Sequence, residues 1–152
     1  MSRSYDDYFM QEALKEALKA KKSGEIPVGA VISIGDKIIS RGHNLSINEF
    51  DPTLHAEIVA IRGAAKKIKN HRLVEANLYV TLEPCAMCYG AIVHARIKKL
   101  FFGAYDKKTG TCGSCLKLST SNCFNHKPEI MGGIMEKECS ETIKNFFKSI
   151  RD

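Results

Sequence analysis

The sequence predicts a mixed α/β sheet flanked by helices, on three observations. Apolar spacing changes between helical and strand periods in the order α-β-β-α-β-α-β-(loop)-β-α. Only Gly35-Asp36 separates the first two strands, so they pair as a hairpin. The later strands are separated by helices, and a helix-length crossover brings the following strand back parallel. With 152 residues, 44% of them hydrophobic, and no repeat, low-complexity tract or Pro/Ser-rich linker, residues 1–152 are expected to form one domain. A chain of this length buries roughly 68–70% of its unfolded surface, enough for a core without disulfides.

Phe9, Met10, Ala13, Leu14, Ala17 and Leu18 recur at helical spacing until Gly24 stops the pattern. Val28–Ile34 and Lys37–Arg41 read as the hairpin strands. Asp51-Pro52 offers an N-cap and a first-turn proline. Behind it, Leu54, Ile58, Ile61, Ala65 and Ile68 make a stripe that carries a helix to Asn70. Leu78–Leu82 is strand-like, Pro84 opens a helix with Ala91, Ile92 and Ala95 on its apolar face, and Leu100–Ala104 is the next strand. Residues 105–127 have no firm period beyond a short helix near Leu116. Glu129–Ile134 reads as the last strand, and Ile143, Phe146, Phe147 and Ile150 form one face of a closing helix.

Lys and Arg number 23 against 17 Asp and Glu, a net charge of +6 that is compatible with a polyanionic partner and equally with a solvated surface. Six cysteines are too few for a disulfide scaffold. Residues 1–7 lack the apolar run of a secretory signal, and no stretch approaches the ~18 apolar residues of a membrane span. A cytoplasmic, reducing setting without membrane contact is therefore expected, where paired cysteines point to metal or catalysis.

The chemistry concentrates in His55-Ala56-Glu57 and, after 26 intervening residues, Pro84-Cys85-Ala86-Met87-Cys88. Cys85 and Cys88 stand three apart at a helix start, so their side chains share a face. The exposed N–H groups and positive dipole end there favour the thiolate that binds zinc. His55, read as lying in the first turn of the preceding helix, completes a three-ligand set. Three ligands leave the fourth tetrahedral position open, as in catalytic rather than structural zinc. Water there falls from a pKa of 15.7 towards about 7 and supplies hydroxide as nucleophile. Glu57 is placed to shuttle the proton to a ring nitrogen and a departing amino group. H-x-E…P-C-x-x-C is the known signature of zinc-dependent nucleobase deaminases. Singly, each residue has a plainer reading as core, cap or solvated helix position; together, each fixed letter has a chemical reason.

With these residues in place, the chain resembles the cytidine-deaminase superfamily, and within it the group of bacterial tRNA-specific adenosine deaminases. The resemblance runs through Glu25-Ile26-Pro27-Val28-Gly29-Ala30-Val31, Asn44, Asp51-Pro52-Thr53, the stretch from Leu78 to Cys88, and Phe102-Gly103-Ala104. It continues through Asp106, Lys108, Thr109, Gly110, Asn125-His126 and Phe146-Phe147, and so spans nearly the whole length. It implies a three-layer α/β/α sandwich around a five-stranded sheet, one catalytic zinc ion per chain, a homodimer, and no nucleotide cofactor. The implied reaction converts adenosine to inosine at the wobble position of a tRNA, with arginine tRNA as the expected substrate and the anticodon stem-loop as the partner. By the same resemblance Asn44 hydrogen-bonds the flipped base, Val28 and Ile26 wall its ring, and the backbone of Ala56 helps fix its edge. Asp106 and Lys108 hold flanking nucleotides, and Asn125 and His126 lie near the anticodon loop. A single-stranded loop suits such a pocket because its bases need little unstacking.

Basic residues at Arg96, Lys98, Lys99, Lys107 and Lys108, and at Lys144, Lys148 and Arg151, are candidates for gripping the RNA backbone. Two features depart from the family pattern: Ser46 stands where arginine is frequent, and Cys112-Gly113-Ser114-Cys115 adds a second C-x-x-C. These thiols are read either as joining Cys85 and Cys88, or as a separate site with Cys123 and His126, or as small packed hydrophobes, the last being favoured. Cys139 is assigned to the core. The alternative enzyme is a deaminase of a free nucleobase or nucleoside, guanine or cytosine, since the zinc motif does not choose among them. A zinc-stabilised nucleic-acid-binding module without catalysis is disfavoured by Glu57 and by the open three-ligand set.

Overall fold

The computed structural model describes residues 3–151. Helix α1 (Arg3–Lys22) leads into the hairpin β1 (Gly29–Ile34) and β2 (Lys37–His43), followed by α2 (Ala56–Ile68), β3 (Ala76–Leu82), α3 (Ala86–His94) and β4 (Lys99–Ala104). A 3₁₀ turn at Leu118–Thr120, β5 (Glu129–Met131) and α4 (Glu136–Arg151) complete the chain. The five strands lie in the order β2-β1-β3-β4-β5. β1 is antiparallel to β2 and to β3, whereas β3–β4 and β4–β5 are parallel, as the crossover helices require.

Side chains alternate across the centre of this sheet. Ala30, Ile32, Leu78, Val80, Leu100 and Phe102 face α2 and α3, while Val31, Tyr79 and Phe101 face α1 and α4. On the second face Tyr79 stacks on Phe101 at 4.4 Å and packs against Phe9 at 4.9 Å, and the Tyr79 hydroxyl donates to Asp6 Oδ1 at 2.9 Å. The result is the expected three-layer α/β/α sandwich around a mixed five-stranded sheet.

Several boundaries differ from expectation. α2 begins at Ala56 rather than behind Pro52, so His55 is its N-cap and not a first-turn residue. Asp51 caps a local turn instead, its Oδ1 accepting from the Thr53 amide at 2.9 Å and hydroxyl at 2.7 Å. The buried face of α2 also shifts: Ala56, Ala60 and Ala64 are buried, whereas Ile58 and Ile61 are half-buried and Ile68 is exposed. Small residues are needed there because α2 lies almost on the sheet. A Cβ on Gly42 would come within 2.7 Å of Ala56 O and Ala60 N. β2 runs on to His43, β3 starts at Ala76, and β5 ends at Met131 rather than Ile134. Leu18 is exposed on α1.

This packing yields a discriminating pair of variants. Ala60→Leu, which overpacks the α2–sheet contact, should lower the unfolding free energy by about 2–3 kcal/mol, and Ile68→Ala by less than about 1 kcal/mol. Urea midpoints shifted equally would return the buried face to the isoleucines.

Candidate metal centre and pocket

The functional residues gather where β3 and β4 end. Both strands point the same way, so Glu83-Pro84-Cys85 and Tyr105-Asp106 emerge side by side, the edge of a parallel sheet where ligands are usually bound. The N-termini of α2 and α3 converge there too, with His55 as N-cap of one and Cys85 as N-cap of the other. Neither cap side chain bonds its own helix, which leaves both free to turn to a common point. Cys88 follows one turn later, fully buried.

Among the described residues, His55, Cys85 and Cys88 form the group able to hold a metal ion, their ligand atoms all within 4.8 Å of one another. Cys85 Sγ lies 3.7 Å and Cys88 Sγ 3.6 Å from His55 Nδ1. Tetrahedral zinc, with Zn–S near 2.3 Å and Zn–N near 2.0–2.1 Å, sets sulfur and nitrogen ligands about 3.6 Å apart. The three residues therefore fit the ion without rearrangement.

Their protonation is tightly linked. The Cys88 thiol and the His55 ring beside Cys85 pull its thiol down to about 4, against the opposing effect of burial. Cys85 in turn pushes the Cys88 thiol up, together with burial. Cys85 also raises the His55 imidazole. Metal is bound by thiolates, so loading this site releases protons from the sulfurs. Glu57 is 4% exposed, and burial pushes its carboxyl up to about 7.

A cavity of about 730 Å³ opens over this centre. Asn44, Val28, His55, Glu57 and Cys85 line it, with Ile26 half out in solvent at its edge. Asn44 is held on three sides: its Oδ1 accepts from Ala56 N–H at 2.8 Å, its Nδ2 donates to Ile26 O at 3.1 Å, and its own amide donates to Val28 O at 3.2 Å. One N–H and one lone pair of its side chain remain for a ligand. The Ala56 amide, already bonded to Asn44, reaches the cavity only through that residue.

Asp106 and Lys108 line the opposite wall with Lys107 and Thr109. The Asp106 carboxylate caps its own loop, accepting from the amides of Lys108 and Thr109 and from the Thr109 hydroxyl. Asn125 and His126 lie outside the cavity lining. Asn125 accepts from Arg96 at 3.2 Å, and His126 Nε2 bonds Ile97 O at 2.7 Å. Lys98 and Lys99 pair loosely with Glu75 and Glu129, each at 3.9 Å.

The extra thiols do not assemble. Cys112 is half-buried against the core, while Cys115 and Cys123 are exposed, so they neither join Cys85 and Cys88 nor form a second ligand cluster among the described residues. The favoured packed pair is corrected as well, since only one of Cys112 and Cys115 packs. Cys139 is fully buried, as assigned.

Sequence reasoning missed three contributors. Ile143, Phe147 and Ile150, expected only as one apolar face of the closing helix, line the cavity with Lys144 and Arg151. Glu25 is buried and anchors the segment after Asn44, accepting from the amides of Ile47 at 3.2 Å and Asn48 at 2.8 Å and from Asn48 Nδ2 at 2.6 Å. These bonds hold its carboxyl below the ordinary range despite burial. Glu83 is buried beside the metal ligands. The available signal was an acid within each apolar run, Glu25-Ile26-Pro27-Val28 and Thr81-Leu82-Glu83-Pro84.

Comparison with known proteins places this arrangement. Residues 3–104 match the model of the cytidine and deoxycytidylate deaminase zinc-binding region. The chain is 50% identical over 149 residues to the tRNA-specific adenosine deaminase of Haemophilus influenzae, covering 97% of this chain and 86% of that one. It is 45% identical over 146 residues to the Bacillus subtilis enzyme of the same name, covering 96% and 91%. A structure from a study of A-to-I editing by tRNA:A34 deaminases superimposes with a TM-score of 0.87 at 41% identity, over 89% of this chain and 98% of that one. Guanine deaminase from B. subtilis matches with a TM-score of 0.64 at 38% identity, over 70% and 69%.

The ligand set makes a direct prediction. Elemental analysis should find one tightly held metal equivalent, lost in His55→Ala and Cys88→Ala and kept in Cys115→Ser and Cys123→Ser. Metal surviving the first two substitutions would move the site elsewhere.

Proposed function

Because the chain belongs to the cytidine and deoxycytidylate deaminase zinc-binding family, we propose that it hydrolyses the amino group from adenosine at the wobble position of a tRNA anticodon, leaving inosine. Water and the base go in, and inosine and ammonia come out: the C6–N6 bond breaks as a C6–O bond forms. The observation that carries the substrate class is the cationic part of the cavity lining. Lys107, Lys108, Lys144 and Arg151 line the same pocket as His55, Glu57 and Cys85. A free base has no phosphates to meet four cations, whereas an RNA loop does.

His55, Cys85 and Cys88 would hold one zinc ion, which when bound would supply acidification of the attacking water towards neutral pH. Glu57, buried two residues beyond His55, takes the two protons of the attacking water in turn at its carboxylate and returns one to the ring nitrogen and one to the leaving amino group. Asn44 holds the base edge with its remaining N–H and lone pair, oriented by Ala56 and Ile26, while Val28 and Ile26 wall the ring. Asp106 shapes the turn that carries Lys108 towards the flanking nucleotides. Asn125 and His126 extend the RNA contact outside the cavity beside Arg96. We read residues 1–152 as one deaminase domain that acts in the cytoplasm as a homodimer on an arginine tRNA. No helix among the described residues is long and apolar enough to cross a membrane.

A second reading, deamination of a free base or nucleoside, rests on the likeness to guanine deaminase and on a floor that does not itself exclude a purine base. Incubation with an anticodon stem-loop bearing wobble adenosine, in parallel with free adenosine, guanine and cytosine, separates the two. Inosine is expected only in the stem-loop, and turnover of a free base alone would transfer the assignment. Glu57→Ala should keep its metal and lose about 10²–10⁴-fold in kcat; full activity in that variant would remove Glu57 from the chemistry.

A further inference from the structure

Glu83 is an acid in an unusual place. It stands between the end of β3 and the ligand Cys85, and it is 3% exposed. Burying a carboxylate is costly unless its oxygens are satisfied. Here no cation among the described residues serves it. Oε1 accepts from the Asp106 amide at 3.0 Å and from the Ser114 hydroxyl, and Oε2 accepts from the amides of Cys112 at 2.8 Å and Ser114 at 3.2 Å. A carboxylate has about four lone-pair sites, and all four go to one segment, residues 106–114.

The same segment is keyed to the neighbouring backbone. The Thr111 amide and hydroxyl both donate to Pro84 O at 3.0 Å. Gly110 passes so near that a Cβ there would lie 2.4 Å from the Glu83 carboxyl carbon. Residues 106–109 of this segment form one wall of the cavity. Glu83 therefore ties the wall that faces the flanking nucleotides to the two residues preceding a metal ligand.

We propose that Glu83 is a positioning residue that sets the distance between the metal centre and the 106–109 wall, and so governs capture of a base presented within an RNA loop. The inference rests on the reading that the substrate is a tRNA anticodon arm. It assigns Glu83 no proton transfer and no contact with the base. Glutamine tests it because either orientation sets its NH₂ against a backbone donor: on the Oε1 side the Ser114 hydroxyl can turn to accept but the Asp106 amide loses its partner, and on the Oε2 side the amides of Cys112 and Ser114 lose theirs.

In Glu83→Gln, hydrogen exchange should accelerate at least tenfold at the Asp106 amide or at those of Cys112 and Ser114, according to which way the glutamine turns, with metal content retained. KM for the wobble-adenosine stem-loop should rise at least tenfold, with kcat falling no more than about threefold. Ser114→Ala, which removes one donor from the loop side, should move exchange and KM in the same direction by a smaller factor, and it carries the test if the glutamine variant does not fold. Unchanged exchange at those amides in the folded variant overturns the clamp. Loss of metal or collapse of kcat at constant KM overturns the positioning role and places Glu83 in the metal centre. If the parent protein deaminates no stem-loop, the substrate reading falls, while the exchange measurement still decides the clamp.

Discussion

Parallel pairing of β3 with β4 is the constraint on which the rest depends. Parallel strands cannot be joined by a tight turn, so the chain must cross the sheet through α3 and return. That return brings two strand ends to one edge and starts a helix at the same spot. Residues 83–85 and 105–106 then lie side by side, and the Glu83 amide continues the ladder by donating to Ala104 O at 2.8 Å. Had the strands been antiparallel, the ligands of α3 and the wall beyond β4 would sit at opposite ends of the sheet.

The metal centre shows how two helix termini can share one task. His55 and Cys85 are both N-caps in extended backbone conformation that cap nothing with their side chains. Each helix forgoes the stabilisation of a serine or aspartate cap, about 1 kcal/mol, to aim a ligand at a common point. Asn44 offsets part of this by bonding the first amide of α2 from outside. The residue that orients the pocket therefore also finishes the helix, and beside it the contact between the two sulfurs pushes the Cys85 thiol down and the Cys88 thiol up.

The element order and the metal ligands could be read from the sequence because both are local patterns. A period of two or 3.6 needs only neighbours in the chain, and His55, Cys85 and Cys88 stand at helix starts where spacing fixes direction. Burial is not local. The alanines of α2 face the core because Gly42 lets the helix approach the sheet, a contact between residues fourteen or more apart that no window reveals. α4 has a clear apolar face, yet periodicity does not say whether such a face meets a core or a cavity. Glu25 and Glu83 escaped notice for a similar reason: an acid in a strand-like run reads as an exception until the loop that satisfies it is folded over it. The cysteines of 112–123 bear out the preference against a second metal site, since C-x-x-C makes a site only when other ligands are brought to it, although of the expected packed pair only Cys112 packs.

The Glu25 carboxylate has an effect on the β1–β2 hairpin as a whole. At one end the hairpin is closed by Gly35-Asp36; at the other, Asn48 reaches back to Ser23 O and to Glu25, lacing the segment after β2 to the segment before β1. A ribbon fastened at both ends has no freedom to slide. Sliding by a single residue would exchange its two faces, turning Gly42 away from α2 and carrying Asn44 off the cavity floor. The slack that edge strands elsewhere tolerate is thus removed from β2, whose outer edge is unpaired among the described residues, and the aim of one asparagine is protected by a knot tied four residues away.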